Sequence, residues 1–230
     1  MSWQLVLENN AMNDSVSKVM EAVRSRKVIA IVRGFDAETC LKLADAYTKS
    51  GIGLMEVTFD QSRPDGLERT VKAIEALVGH FGDDLLVGAG TVLTEEQVIM
   101  ARDAGAKYAI APNVDLDVIA AAVENGLVAM PGAMTPSEIV AAYHAGAGVI
   151  KVFPASVLGP AYFKAVKAPL SHIPLMAVGG VGAANAADFM KAGCVGIGVG
   201  GSLVNKEWIA AGEWGKIAQA AAAVVAAVGA

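Results

Sequence analysis

The stretch LLVGAGTVLTEEQVIMARDAGAKYAIAPNVDLDVIAAAVENGLVAM, residues 85–130, alternates three short apolar runs with two helical patterns. The runs are Leu85–Ala89, Tyr108–Ala111 and Leu127–Met130. Each is continuously apolar, which is typical of parallel strands that are buried on both faces. Thr94 and Asp115 are N-cap residue types that stand directly before the two helical patterns. The stretch therefore predicts strand–helix–strand units in a parallel sheet.

Five more runs of the same kind bring the number of predicted strands to eight. They are Val28–Val32, Leu54–Thr58, Gly148–Phe153, Pro174–Val178 and Val195–Val199. Eight strand–helix units in 230 residues predict an α/β fold, a (β/α)8 TIM barrel. An open doubly wound sheet would have fewer strands and usually a dinucleotide-binding glycine motif after the first strand, which this chain lacks. Met12 to Arg26 is predicted to form an extra N-terminal helix that closes the bottom of the barrel, and residues 1–230 are predicted to form one domain.

The composition is apolar and poor in charge, with 54% hydrophobic residues, 18% charged residues and a formal net charge of −5. Disordered chains are polar and highly charged, so that class is excluded. Without a basic surplus we expect no nucleic-acid partner. The C-terminal run 217–230 is too short to span a membrane. The first ten residues, MSWQLVLENN, lack the basic start of an export signal. We therefore expect neither membrane insertion nor export.

The cysteines and histidines indicate neither a disulfide nor a metal site. Cys40 and Cys194 lie far apart in apolar contexts, so we expect two buried free thiols and a cytoplasmic location. His80, His144 and His172 show no ligand spacing, so we expect no metal. No Ser-His-Asp arrangement is visible, which argues against a hydrolase.

One lysine, Lys151, lies inside the apolar run Gly148–Phe153, where it must point into the helix layer or into the barrel. The helix layer is apolar, which makes the barrel interior the better environment. Burial there lowers the pKa and makes the free amine available as a nucleophile toward a carbonyl. The alternative is a structural lysine paired with a carboxylate. Lys107 precedes its strand, at the end of the barrel away from the chemistry, and we interpret it as structural.

An acidic residue, Glu56, lies inside a second apolar run. A carboxylate there is costly unless it is paired or used. Across the barrel mouth from Lys151 it could act as a general acid/base, directly or through one water. The alternative is a salt bridge with Lys151 or Arg33, and both roles can coexist.

Glycine pairs end the last two predicted strands. Gly179–Gly180 follows the seventh strand and precedes a helix predicted from Ala183, and Gly200–Gly201, with Ser202, follows the eighth. Backbone N–H groups freed by glycine bind anions, and TIM barrels frequently hold a phosphate in these two loops. The sequence therefore predicts an anion site there.

Two further polar residues follow predicted strands, and each leaves two interpretations open. Arg33 could hold a carboxylate or phosphate bidentately, or it could be an ordinary loop arginine. Thr91 could donate its hydroxyl to a substrate, or it could cap the next helix.

Seven motifs, in order, resemble the 2-keto-3-deoxy-6-phosphogluconate (KDPG) aldolase and 4-hydroxy-2-oxoglutarate aldolase family. They are EVT (56–58), GAGTVL (88–93), APN (111–113), PGAMTPSE (131–138), KVFPA (151–155), VGGV (178–181) and GGSLV (200–204). The resemblance runs from about residue 16 to 205, nearly the whole chain.

The resemblance implies a homotrimeric barrel and a class I aldolase that uses no metal or other cofactor. The substrate would be a phosphorylated 2-keto-3-deoxy sugar acid, cleaved to pyruvate and glyceraldehyde 3-phosphate. Lys151 would form the Schiff base with the keto carbon, and Glu56 would shuttle protons through a water that it holds. The other site residues carried over are Arg33, Thr91, Pro112 and Phe153 for the pyruvyl pocket, and Gly179, Gly180, Gly201 and Ser202 for the phosphate.

Two positions depart from the family pattern. Many members carry an arginine four residues after the glutamate, where this chain has Asp60, and we expect Asp60 to face away from the substrate. Many members have threonine where this chain has Val178, which cannot hydrogen-bond the C4 hydroxyl. The galactonate epimer, 2-keto-3-deoxy-6-phosphogalactonate, therefore becomes an alternative substrate, beside 4-hydroxy-2-oxoglutarate.

Two hypotheses of other classes compete with an aldolase. A phosphate-binding barrel could be an isomerase or epimerase, which needs no imine. It could also bind phosphosugars without catalysis, although burying Lys151 and Glu56 costs stability unless they are used or well paired.

Overall fold

The computed structural model describes residues 10–229 and shows parallel strands surrounded by helices. The strands are β1 Val28–Arg33, β2 Leu54–Thr58, β3 Leu86–Gly90, β4 Tyr108–Ile110, β5 Val128–Met130, β6 Gly132–Ala133, β7 Ile150–Val152, β8 Leu175–Val178 and β9 Gly196–Val199. The helices are α1 Asn10–Arg26, α2 Ala37–Thr48, α3 Gly66–Phe81, α4 Glu95–Asp103, α5 Leu116–Glu124, α6 Pro136–His144, α7 Ala155–Lys167, α8 Ala186–Lys191, α9 Lys206–Ala210 and α10 Trp214–Val228, with a 3-10 turn at Gly82–Asp84.

The strands form one parallel sheet in the order β5-β4-β3-β2-β1-β9-β8-β7-β6. The two ends of this order, β5 and β6, are joined through Pro131, which has no N–H to donate to a ladder. They are therefore two parts of one interrupted strand: β5 matches the fifth predicted strand, Leu127–Met130, and β6 extends it beyond the proline, so the chain itself closes the barrel there. The predicted (β/α)8 barrel is confirmed, with its fifth strand broken at a proline.

Side-chain caps begin several of the helices where the sequence predicts a start. Thr94 Oγ1 accepts a hydrogen bond from Gln97 N (3.2 Å), and Asp115 Oδ1 accepts from Val118 N (3.2 Å). The predicted start of a helix at Ala183 is wrong by three residues, because residues 183–185 form a turn before α8. In that turn Asn185 Oδ1 accepts a hydrogen bond from Gly182 N (2.9 Å), which stabilises the turn in place of a first helical turn.

The amino end of the barrel interior is filled by apolar side chains. Inward-facing residues of seven strand regions contribute Ile29, Leu54, Leu86, Tyr108, Val128, Val149 and Met176, all buried. Val19 and Val23 of α1 pack against this plug, so α1 closes the bottom as predicted, starting at Asn10 rather than Met12. A separate, larger core lies between the strands and the helices.

Cys40 and Cys194 are buried free thiols, and burial raises the pKa of each to about 12. Among residues 10–229 no helix is long and apolar enough to cross a membrane. No group of three potential metal ligands occurs in that part of the chain. Residues 1–9, which bear on the export prediction, and Ala230 lie outside the described residues.

Candidate active site

A cavity of about 800 Å³ opens at the carboxyl ends of the strands. All of the site residues expected from the sequence line it, namely Arg33, Glu56, Thr91, Pro112, Lys151, Phe153, Val178, Gly179, Gly180, Gly201 and Ser202. Gly200, which the sequence analysis placed in the anion-binding loops, also lines the cavity. The lining residues that were not singled out as site residues are Ile31, Val181, Gly182, Ala183, Ala184, Asn185 and Gly198. Ile31 and Gly198 occupy inward-facing positions of β1 and β9, and the two-residue alternation of strand side chains is the signal that could have identified them.

Strand alternation aims the two charged side chains into the barrel. Successive side chains of a strand point to opposite faces, so Glu56 shares its direction with the barrel-plug residue Leu54. In the same way Lys151 shares its direction with Val149. Both charged residues lie one step above the apolar plug, toward the carboxyl ends where the cavity opens.

The Lys151 amine is buried, with the residue 7% exposed. Burial lowers the pKa of Lys151 and Arg33 adds to this effect, whereas the charge of Glu56 opposes it. Among the described residues Lys151 forms no ion pair, which does not favour the structural-lysine alternative. Its Nζ lies 5.0 Å from the centroid of the Phe153 ring, at the cavity wall. At a given pH, the uncharged fraction of Lys151 is therefore larger than that of a solvent-exposed lysine.

The Glu56 carboxyl group is 1% exposed, and its Oε2 has no hydrogen-bond partner in the described structure. Burial raises the pKa of Glu56, while the charges of Lys151 and Arg33 act in the opposite direction. The salt bridge that the sequence left open is not formed between described residues. Gly90 on the adjacent strand makes room for the carboxyl group, since a Cβ at that position would overlap it.

Arg33 and Thr91 meet at the mouth of the cavity. Arg33 Nη2 donates a hydrogen bond to Thr91 Oγ1 (3.2 Å). The helix after Thr91 is capped by Thr94, so the capping role considered for Thr91 is wrong. Asp60 does not line the cavity, and its Oδ1 accepts hydrogen bonds from Ser62 N (3.0 Å) and Ser62 Oγ (2.6 Å).

The loops after β8 and β9 form a cradle rich in glycine. Gly179 and Gly180 have φ angles of 94° and 70°, which glycine adopts without strain. The N–H groups of Gly180, Gly201 and Ser202 donate no hydrogen bond within residues 10–229. Asn185 Nδ2 donates to Gly180 O (3.0 Å) and fixes the first loop. Free backbone N–H groups around a concavity suit an anion.

The sequence and the fold are similar to those of known aldolases. The family model of KDPG and KHG aldolase matches residues 19–220. The 2-dehydro-3-deoxy-6-phosphogalactonate aldolase of Escherichia coli is 38% identical over 76% of this chain and 83% of its own length. The 2-dehydro-3-deoxy-phosphogluconate aldolase of Treponema pallidum is 34% identical over 86% of this chain and 92% of its own.

A solved structure adds a chemical observation about a relative. The KDPG aldolase of Legionella pneumophila, with pyruvate captured as a covalent carbinolamine intermediate, superposes with a TM-score of 0.78 at 28% identity. The match covers 89% of this chain and 97% of that one. The family resemblance expected from the motifs is confirmed, and this chain belongs to the KDPG and KHG aldolase family of carbon–carbon lyases.

Proposed function

We propose that the protein is a class I aldolase whose preferred substrate is 2-keto-3-deoxy-6-phosphogalactonate, cleaved to pyruvate and glyceraldehyde 3-phosphate. The observation that carries the chemistry is a pair of buried groups at the cavity floor that form no ion pair among residues 10–229, the Lys151 amine and the Glu56 carboxyl. Each is costly to bury without a partner, and each suits one role in imine chemistry.

Lys151 begins the reaction. Its uncharged amine adds to the keto carbon of the substrate, and the resulting carbinolamine takes up one proton and loses one water to give a protonated imine. The imine accepts the electron pair of the C3–C4 bond as that bond breaks, which leaves an enamine of pyruvate on Lys151. Protonation of the enamine at C3 and hydrolysis of the imine release pyruvate and restore the amine.

Glu56 moves the protons. Cleavage requires loss of the C4 hydroxyl proton as the aldehyde forms, and the enamine must then receive a proton at C3. Burial raises the pKa of the Glu56 carboxyl group from its ordinary value toward neutral, which suits a group that must both take up and release a proton, directly or through one water. Gly90 supports this role because it lets the carboxyl group sit against the neighbouring strand.

The ends of the substrate would be held at opposite sides of the cavity. We assign the pyruvyl carboxylate to Arg33, beside Thr91, with Pro112 and Phe153 as apolar walls. We assign the phosphate to the cradle, where the N–H groups of Gly180, Gly201 and Ser202 donate no hydrogen bond within residues 10–229, together with Gly179. A doubly charged phosphate suits backbone N–H groups, since they bring positive dipoles without a side chain to order.

Val178 supports the preference for the galactonate epimer. It is the last residue of β8, the strand that follows the one bearing Lys151 and leads into the glycine cradle. Its apolar side chain lines the cavity. A valine cannot hydrogen-bond a C4 hydroxyl. The C4 configuration that a threonine at this position would favour therefore gains no hydrogen bond here. The relatives from Escherichia coli and Rhizobium meliloti, 38% and 39% identical, bear the name phosphogalactonate aldolase.

The test is a pyruvate-release assay on both C4 epimers, each with and without the 6-phosphate, and on 4-hydroxy-2-oxoglutarate. We expect the phosphorylated galactonate epimer to have the largest kcat/KM. We expect Val178→Thr to shift the ratio toward the gluconate epimer by about three- to tenfold, the worth of one hydrogen bond. A larger kcat/KM for the gluconate epimer would overturn the preference, and interconversion without pyruvate would favour an isomerase.

We further propose that the chain, as one domain, forms a homotrimer in the cytoplasm. Among the described residues, five exposed large apolar side chains follow the strands β3 to β7 at the carboxyl end of the barrel, and a sixth, Ile99, lies on α4: the five are Leu93, Leu116, Met134, Phe153 and Val157. Apolar surface concentrated on one side of a molecule is typical of a protein interface, here with further copies of the chain. Light scattering checks the trimer, and a monomer at micromolar concentration would contradict it.

The proposed cytoplasmic location is supported by the free thiols Cys40 and Cys194, which suit a reducing compartment.

A further inference from the structure

The loop after β3 holds a residue in an unfavourable backbone conformation. Thr91 has a φ angle of 55°, in the left-handed region that β-branched residues rarely adopt. Such a conformation is strained and persists only where surrounding contacts fix it.

Two glutamines from different elements fix this loop. Gln61, in the loop between β2 and α3, donates from Nε2 to Thr91 O (3.2 Å). Gln97, on α4, donates from Nε2 to Gln61 Oε1 (3.2 Å) and accepts at Oε1 from Leu93 N (2.7 Å). We call Gln61 and Gln97 the glutamine clamp.

The clamp is anchored in the fold at one end and open to the cavity mouth at the other. Gln97 is only 5% exposed, and both ends of its amide are hydrogen-bonded, as a buried amide requires. Gln61 is exposed, so it reaches Thr91 from the solvent side. Its place is set by a turn in which Asp60 accepts hydrogen bonds from Ser62.

Thr91 connects the clamp to Arg33. Arg33 is exposed and forms no ion pair with a described carboxylate, so its hydrogen bond to Thr91 Oγ1 is the contact that orients the guanidinium. A free arginine side chain loses rotamer entropy when it is ordered. A guanidinium ordered in advance loses less of this when an anion binds.

We propose that Gln61 is a positioning residue for Arg33: by holding Thr91 in its left-handed conformation, it aims the Thr91 hydroxyl at the guanidinium and thereby tightens carboxylate binding. This inference rests on the proposed function in one respect, the assignment of the pyruvyl carboxylate to Arg33. Gln61 itself touches neither substrate nor Lys151. Its effect is therefore on binding of the pyruvyl end, with no effect on the phosphate end.

The experiment uses borohydride trapping, because pyruvate alone reports the carboxylate end. Gln61→Met keeps the length of the side chain and removes both hydrogen bonds. We expect the pyruvate concentration for half-maximal trapping to rise about three- to tenfold, while the maximal trapping rate and inhibition by glycerol 3-phosphate stay within twofold. Gln219→Met makes the same change at an exposed site on α10 and should match the wild type.

A double-mutant cycle with Arg33→Met separates positioning from general loosening. If Gln61 acts through Arg33, Gln61→Met should change half-saturation less than twofold in the Arg33→Met background. An equal shift in both backgrounds, or no shift in the wild-type background, would overturn the inference. Gln61→Ala repeats the cycle if Gln61→Met lowers the unfolding temperature. Failure of the wild-type protein to trap pyruvate would instead contradict the proposed function.

Discussion

The barrel interior holds two regions built on the same strands. At the amino ends, Leu54 and its inward-facing neighbours fill the space with apolar side chains packed on α1. One step higher, Glu56 and Lys151 share the inward direction but border a cavity of about 800 Å³. Strand geometry is the same in both regions, so the difference lies in the side chains alone.

The plug therefore contributes to the stability of the fold, and the cavity region contributes to the chemistry. The apolar plug gains free energy by removing side chains from water, at about 25 cal/mol per Å². The cavity region loses free energy by burying an amine and a carboxyl group whose Oε2 finds no hydrogen-bond partner in the described part of the chain. Substitutions in the plug should therefore affect unfolding, and substitutions at the cavity should affect catalysis.

The strongest test of this comparison is a pair of variants at two positions of β2 that are two residues apart. Glu56→Gln should lower kcat by about 10²–10⁴-fold, the usual contribution of a general acid/base. Leu54→Ala should lower the free energy of unfolding by about 2–5 kcal/mol and leave kcat of the folded protein within a few-fold. Steady-state kinetics and urea unfolding measure the two effects.

The stability of Glu56→Gln has a defined sign. The folded-state pKa of Glu56 is raised, so its contribution to stability is present below the ordinary glutamate pKa and is lost as the pH rises. At pH 7 the glutamine variant should be at least as stable as the wild type. Marked destabilisation by Glu56→Gln, or loss of kcat in Leu54→Ala, would show that the two regions are not separable.

A smaller effect is expected from Gly90, which faces the Glu56 carboxyl group. Gly90→Ala should displace that group and lower kcat by about tenfold or more, since small misplacements at a reacting centre are costly. Gly79→Ala is the matched control on α3, where a Cβ meets nothing within 4 Å. It should leave kcat unchanged and stabilise the helix by up to about 1 kcal/mol. Equal kcat values in the two variants would count against the placement of Glu56.

The smallest expected effect is a shift in a pH profile. Burial lowers the pKa of Lys151, so the trapping rate at saturating pyruvate should rise with pH to a midpoint below the 10.5 of an ordinary lysine. The charge of Glu56 opposes the lowering, so Glu56→Gln should move the midpoint further down. A midpoint at or above 10.5, or an upward move in the variant, would contradict the electrostatic relation between the two groups.

The barrel and the two central residues could be predicted from the sequence because their signals are local. Continuous apolar runs mark strands buried on both faces, and a charge inside such a run is conspicuous. The break of the fifth strand at Pro131 could not be predicted, because the two-residue β6 is defined only by its pairing with β7.

The hydrogen bonds around the cavity could not be predicted either. Gln61 and Gln97 are ordinary polar residues in the sequence, and only the fold brings them together across 36 positions. Asn185 lies in the segment that the sequence predicts as helix from Ala183, whereas in the structure its side-chain amide holds the glycine loop. Side-chain contacts between loops depend on tertiary geometry that no local pattern contains.

The central claim is that Lys151 carries the covalent intermediate, and borohydride reduction in the presence of pyruvate tests it directly. Peptide mass spectrometry should find one reduced pyruvate adduct, on Lys151. The adduct should persist in Lys107→Met, at the amino end of its strand, and disappear in Lys151→Met. No adduct on the wild-type protein, or an adduct on another lysine, would contradict the claim.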